Sequence, residues 1–320
     1  MKEKVKLGLR APFPWFGVKY RIADAVWERF GDVPHYVEPF AGSLAVLLNR
    51  PVRHLHSNCL ETINDKDAFV ENFWRSLQAD PDGLCKWSEW PPNEAALHSR
   101  HTWLLRRGKS LTSKVMTDPH YYNLKMAGWW VWGISMWIAA GWCHSTRGKP
   151  KLPSIAGGRG VHRIGLATTA GLKQYFQVLS KRLHSVRVCC GDWKRVLGST
   201  IVSLGPTAVF LDPPYGDDRE PNLYREDDTK LYLKVRDWAV ENGGNPKLRI
   251  ALCGYDSELS MPNDWTCLKW KAQGGYSSQA ASHTKAKGNV WKEIVWFSPH
   301  CLTPRVGLLG RQLDEMRRRK

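Results

Sequence analysis

The sequence predicts an α/β fold carried by a mostly parallel sheet. Three observations lead there. The first 80 residues run strand, helix, strand, helix after an opening helix, and the same alternation resumes beyond residue 170. Two turn motifs, Glu38-Pro39-Phe40-Ala41-Gly42-Ser43 and Asp212-Pro213-Pro214-Tyr215, each follow a short strand, where open α/β sheets place their ligands.

Residues 20–31 read as a helix, and Tyr36-Val37-Glu38-Pro39 as the end of a short strand. Ser43 to Asn49 begins the next helix, and His54 to Ile63 holds a second strand. Ala68 to Leu77 is helical by its apolar spacing of Phe69, Val70, Phe73, Trp74 and Leu77. Residues 81–165 break the pattern: they are rich in Trp, His, Arg, Pro and Gly without clear alternation, and Gly148 to Arg163 reads as a mobile basic loop. Met126 to Cys143 carries no formal charge. It is rich in Trp and Gly rather than Leu and Ile, so a buried helix is expected there, not a membrane span. Leu172 to Leu183 (helix), Val186 to Cys190 (strand), Thr207 to Leu211 (apolar strand), Leu231 to Val240 (helix), Leu248 to Cys253 (buried strand) and Ile294 to Phe297 (last strand) restore the α/β order.

The 320 residues suffice for one large or two modest domains. A net charge of +17 favours a polyanionic partner, because Lys and Arg neutralise phosphates whatever the base sequence. None of the 8 Cys form a Cys-x-x-Cys pair, so a zinc ribbon is not expected and no metal is predicted. Met1-Lys2-Glu3-Lys4 lacks the apolar stretch of a signal peptide, and the thiols read as free. The expected location is a reducing cytoplasm.

Asp212-Pro213-Pro214-Tyr215 is the sharpest chemical signal. An adenine amino group is a poor nucleophile because its lone pair is delocalised into the ring. Acceptors aimed at its two hydrogens pull the nitrogen towards tetrahedral geometry and localise that pair. The Asp212 carboxylate and the Pro213 carbonyl suit this role, Pro213 and Pro214 stiffen the turn, and Tyr215 offers a ring for stacking. The Glu38–Ser43 turn, lying between a strand and a helix, would bring backbone amides at a helix N-terminus close to a cofactor. Asp65 lies about 20 residues beyond that turn, where an acidic side chain binds ribose hydroxyls. It also reads as a helix N-cap before Ala68, and Asp67 competes for both roles.

Four stretches in this order resemble the DNA adenine methylase family, D12 class. Pro14-Trp15-Phe16-Gly17-Val18-Lys19-Tyr20 is similar to its Trp-x-Gly-x-Lys segment, and the Glu38–Gly42 turn, Asp65 and Asp212–Tyr215 follow. The resemblance covers roughly residues 12–80 and 170–300. It implies a Rossmann-like methyltransferase fold, a mostly parallel sheet with helices on both faces. It implies S-adenosyl-L-methionine as cofactor, contacted by Trp15, Lys19, Pro39, Phe40, Gly42, Asp65, Asp192 and Asp212, with Asp212, Pro213, Pro214 and Tyr215 catalytic. One departure stands out: where the family turn has a second glycine, this chain has Leu44, which would alter the pocket for the methionine end or weaken binding.

Residues 1–80 and 171–320 are then the catalytic domain, and residues 81–170 an inserted, mainly helical domain that recognises double-stranded DNA. Arg106, Arg107, Arg147, Lys149 and Lys151 are its expected phosphate contacts, with Arg100 and His101 among the same basic residues. A monomer is expected. Two other functions fit the same residues: a methyltransferase acting on the cytosine amino group, and a DNA-binding regulator on an inactive methyltransferase fold.

Overall fold

The computed structural model describes residues 8–15, 19–55, 58–137, 142–143, 160–165, 169–198, 205–214, 230–255, 259–270 and 293–304. A seven-stranded sheet runs through it. Its strands are β1 (His35–Glu38), β2 (Leu60–Asp65), β3 (Arg187–Cys190), β4 (Thr207–Leu211), β5 (Leu248–Tyr255), β6 (Thr266–Lys269) and β7 (Glu293–Phe297). The spatial order is β3-β2-β1-β4-β5-β7-β6. β1 to β5 pair in parallel, and β7 runs antiparallel to both β5 and β6. This mixed α/β architecture is consistent with a methyltransferase fold.

Strand alternation shows that the sheet is covered on both faces. Ala208, Phe210, Ala251, Cys253, Val295 and Phe297 join one apolar cluster with Trp27 and Phe30 of α1 (Ala23–Phe30) and Phe69 and Phe73 of α2 (Ala68–Ala79). Their neighbours Val209, Leu211, Ile250 and Leu252 join a second cluster with Tyr232, Val235 and Ala239 of α9 (Leu231–Gly243). Burial on both faces is why β4 reads as an unbroken apolar run.

Helices α3 (Pro81–Ser88), α4 (Glu94–Gly108), α5 (Leu111–Thr117), α6 (Leu124–Ile134), α7 (Gly160–Gly165) and α8 (Thr169–Leu183) lie between β2 and β3. Residues 81–165, whose sequence shows no clear alternation, are mainly helical over their described part. The starts obey capping chemistry: Asp80 accepts from Gly83 N ahead of Pro81, Asn93 from Ala96 N, and Asn123 from Met126 N. Their apolar periodicity is blurred because helices pack on several sides. In α6 eight of eleven residues are buried, among them Trp130, Val131 and Trp132. Among the described residues no helix is long and apolar enough to cross a membrane.

Two further expectations change. No α-helix starts at Ser43; the chain makes only a 3-10 turn at Leu47–Asn49. Leu44 takes φ +54°, which interrupts a right-handed helix, and Pro51 follows closely. β2 begins at Leu60 rather than near His54, where a 3-10 turn, Val52–His54, intervenes. Most of the basic loop Gly148–Arg163 lies outside the described residues.

Candidate active site

The strand order reverses between β1 and β4, so the crevice of the sheet opens at their carboxyl ends. Both turn motifs meet there: Glu38 ends β1 and Asp212 follows β4. Pro213 is buried and Pro214 half-buried, while Tyr215 lies outside the described residues.

Lys19 reaches the same place from the N-terminal motif. It opens a 3-10 turn, Lys19–Arg21, that leads into α1, and it is only 3 % exposed. Its Nζ lies 3.0 Å from Asp212 Oδ1 and 3.8 Å from Glu293 Oε2. The Asp212 side chain keeps 21 % exposure, so the carboxylate is paired yet open to a ligand. Burial raises its pKa; Lys19 opposes this, Glu293 adds to it, and the Cys253 thiol donates a hydrogen bond to it. Sequence reasoning missed Glu293 and Cys253 as members of this group. Register explains both: Cys253 follows Leu252, the β5 partner of Leu211, and antiparallel β7 starts with Glu293 opposite Tyr255, at the edge where the parallel strands finish.

Glu38 lies beneath. It is 2 % exposed and accepts a 2.9 Å hydrogen bond from the Tyr36 hydroxyl. Desolvation raises its pKa to about 8, against the hydrogen bonds from Tyr36 and Leu47 and with help from the Asp212 charge.

The turn after β1 is held from three sides. Gly42 N–H donates to Asp65 Oδ2 at 2.9 Å, and Gly42 C=O accepts from Trp74 Nε1 at 3.1 Å. A Cβ on Gly42, whose φ is +42°, would overlap the Trp15 indole. Glycine is needed here because the tryptophan lies directly on the backbone. Trp15 also packs on Phe13 and Trp130, which fixes the N-terminal segment to α6. Asn64 ties two turns together: its Nδ2 donates to Pro39 O at 3.1 Å and to Gly191 O at 3.0 Å.

Asp65 and Asp67 divide their roles. Asp67 caps α2 by accepting from Phe69 N, while Asp65 accepts from Gly42 N and Asp67 N. Phe40 stacks on Trp193 with ring centres 6.1 Å apart. Asp192 is exposed beyond β3 and accepts from Lys194 N. The donor set fits a cationic nucleoside cofactor. Asp65 and Asp192 stand at successive strand ends, Phe40 supplies an aromatic face, and two carboxylates against the Lys19 ammonium leave surplus negative charge for a sulfonium.

Arg106 and Arg107 are exposed on the last turn of α4. That turn is pinned near the carboxyl edge of the sheet, since a Cβ on Gly108 would stand 2.5 Å from Cζ of Phe69, the second residue of α2. Arg100 and His101 do not share this exposure. Arg100 is 7 % exposed and packs against the rings of Trp90, Trp129 and Trp132, the last at 4.1 Å; His101 stacks on Trp137 at 4.7 Å. The helix interior claims these two, so neither meets phosphate from this position. Arg147, Lys149 and Lys151 lie outside the described residues.

Residues 15–125 match the family model of the D12 class N6 adenine-specific DNA methyltransferases. The matched stretch takes in Trp15, Lys19, the Gly42 turn, Asp65, Arg106 and Arg107 and stops before Asp212. No curated protein matches the chain. Adenine methylation of DNA is the activity of the D12 class.

Proposed function

We propose that this protein binds S-adenosyl-L-methionine along the carboxyl edge of its sheet and transfers the methyl group to the exocyclic amino group of adenine in double-stranded DNA. One observation carries the reading. Lys19, from the family-matched segment, holds Asp212, a partly exposed carboxylate at the switch point of the sheet.

When bound, the cofactor supplies an electrophilic methyl group on a sulfonium. The chain's own groups do the rest. Asp212 accepts a hydrogen bond from one hydrogen of the adenine amino group, and the Pro213 carbonyl accepts one from the other. Pro214 stiffens the turn, and Tyr215 stacks on the extruded base. Trp15, Pro39, Phe40, Gly42, Asp65 and Asp192 frame the cofactor, with Lys19 anchoring the pair. Positioning and fixed charge lower the barrier, and the chemistry requires neither a metal nor a covalent intermediate on the enzyme.

Residues 81–170 serve as the target-recognition domain inserted between catalytic segments 1–80 and 171–320. Arg106 and Arg107 contact phosphates, joined by Arg147, Lys149 and Lys151. The protein works as a monomer in the cytoplasm.

Asp212→Ala tests this directly. The variant folds, as judged by circular dichroism, and transfers no radiolabelled methyl group to DNA. Transfer at the wild-type rate would reject the assignment.

A further inference from the structure

We propose that Glu293 is a positioning residue that acts through Lys19, sharing its ammonium so that Asp212 stays available as the acceptor for the substrate amine. This rests on the reading of Asp212 given above.

The argument begins with topology. In a parallel sheet every strand brings its last residue to the ligand edge. Only an antiparallel strand brings its first, and β7 is antiparallel to β5. Glu293 is that first residue, 9 % exposed, and it faces the group formed by Lys19, Asp212 and Cys253. A charged residue so enclosed at a strand end is costly unless it is paired.

Geometry then ranks the pairing. Lys19 Nζ is in hydrogen-bond contact with Asp212 Oδ1 at 3.0 Å, and stands 3.8 Å from Glu293 Oε2. Facing Trp270 at 6.0 Å closes another side of the ammonium. Without Glu293, the ammonium would be drawn more fully to Asp212. The ion pair would tighten, and the carboxylate would be a weaker acceptor towards an amine. With Glu293, a second negative charge competes for the ammonium and keeps the Asp212 carboxylate basic.

Among the described residues, the charged and titratable groups around Asp212 are Lys19 from the 3-10 turn, Glu38 from β1, Cys253 from β5 and Glu293 from β7. Burial and Glu293 raise its pKa, and Lys19 lowers it. Removing the Glu293 charge therefore lowers it.

The test is single-turnover methyl transfer to DNA, followed from mildly acid to mildly alkaline pH, in wild type, Glu293→Gln and Glu293→Asp. Glu293→Gln keeps the shape and loses the charge. The expected result is a plateau rate reduced about ten-fold, with the acid limb displaced to lower pH; a ten-fold loss is one pH-equivalent of interaction. Glu293→Asp keeps the charge at longer reach, so its limb falls between the other two. A limb unmoved from wild type in both variants overturns the proposal, whatever the rate, because a purely structural glutamate would not move it. If Glu293→Gln fails to fold, the position of the Glu293→Asp limb decides alone. Asp212→Ala in the same assay separates the two readings. Activity in that variant sinks the assignment of Asp212 itself, while its inactivity beside unshifted Glu293 variants sinks only the role of Glu293.

Discussion

Glu38 is a carboxyl group that the fold keeps protonated near neutrality, and its consequence is measurable. Burial raises its pKa from 4.5 to about 8. Below pH 4.5 the group is protonated in both folded and unfolded chains. Between 4.5 and 8 the unfolded chain releases a proton that the folded chain holds, so this group makes stability fall as pH rises. Above 8 both forms are ionised and the slope ends. Glu38→Gln keeps the polar contacts with the Tyr36 hydroxyl and the Leu47 amide without the titration. Thermal melting of that variant across the window should give a flatter dependence on pH than wild type, and an unchanged slope would show that Glu38 ionises normally in the folded protein.

At the scale of elements, Leu44 is the informative departure. It stands where the resembling family has a second glycine, and it takes φ +54°, a conformation that costs a non-glycine residue about 1–2 kcal/mol. Its side chain is fully buried in the main core, and truncating a buried leucine costs about 2–5 kcal/mol. The second effect wins. Leu44→Gly should lower stability by about 2 kcal/mol in denaturant unfolding. Because the side chain points into the core, S-adenosyl-L-methionine affinity should stay near wild type. An equal or raised stability would mean that strain dominates.

The same turn marks the limit of what the residues reveal. Ser43 to Asn49 has ordinary helical composition, and nothing in it announces a left-handed residue, so a helix was the natural expectation. β4 was legible because both faces of Thr207–Leu211 are buried, leaving a run without polar interruption. β6 was not: its four residues are mostly exposed at the sheet edge and include Lys269. Asp212 and Lys19 were legible through their motifs. Glu293 was not, since an acidic residue at the start of a strand reads as a solvated edge until the antiparallel register places it beside Lys19. Arg100 misled in the opposite sense, a basic residue buried among tryptophans rather than offered to solvent.

For the whole molecule, the net charge of +17 and the exposed end of α4 bear on DNA. If Arg106 and Arg107 each neutralise a phosphate, replacing both with alanine should weaken DNA binding. It should also reduce the slope of log affinity against log salt by about 1.8. Methyl transfer at saturating DNA should be little changed. Fluorescence anisotropy over a salt series measures this, and an unaltered slope would remove both residues from the interface. The central claim is that a carboxylate at the switch point directs a methyl group to the adenine amino nitrogen. The most direct measurement is to incubate DNA with the protein and methyl-labelled S-adenosyl-L-methionine, digest it to nucleosides and identify the labelled base. N6-methyladenine, formed by wild type and absent with Asp212→Ala, is the predicted result; label in N4-methylcytosine, or no labelled base at all, would contradict it.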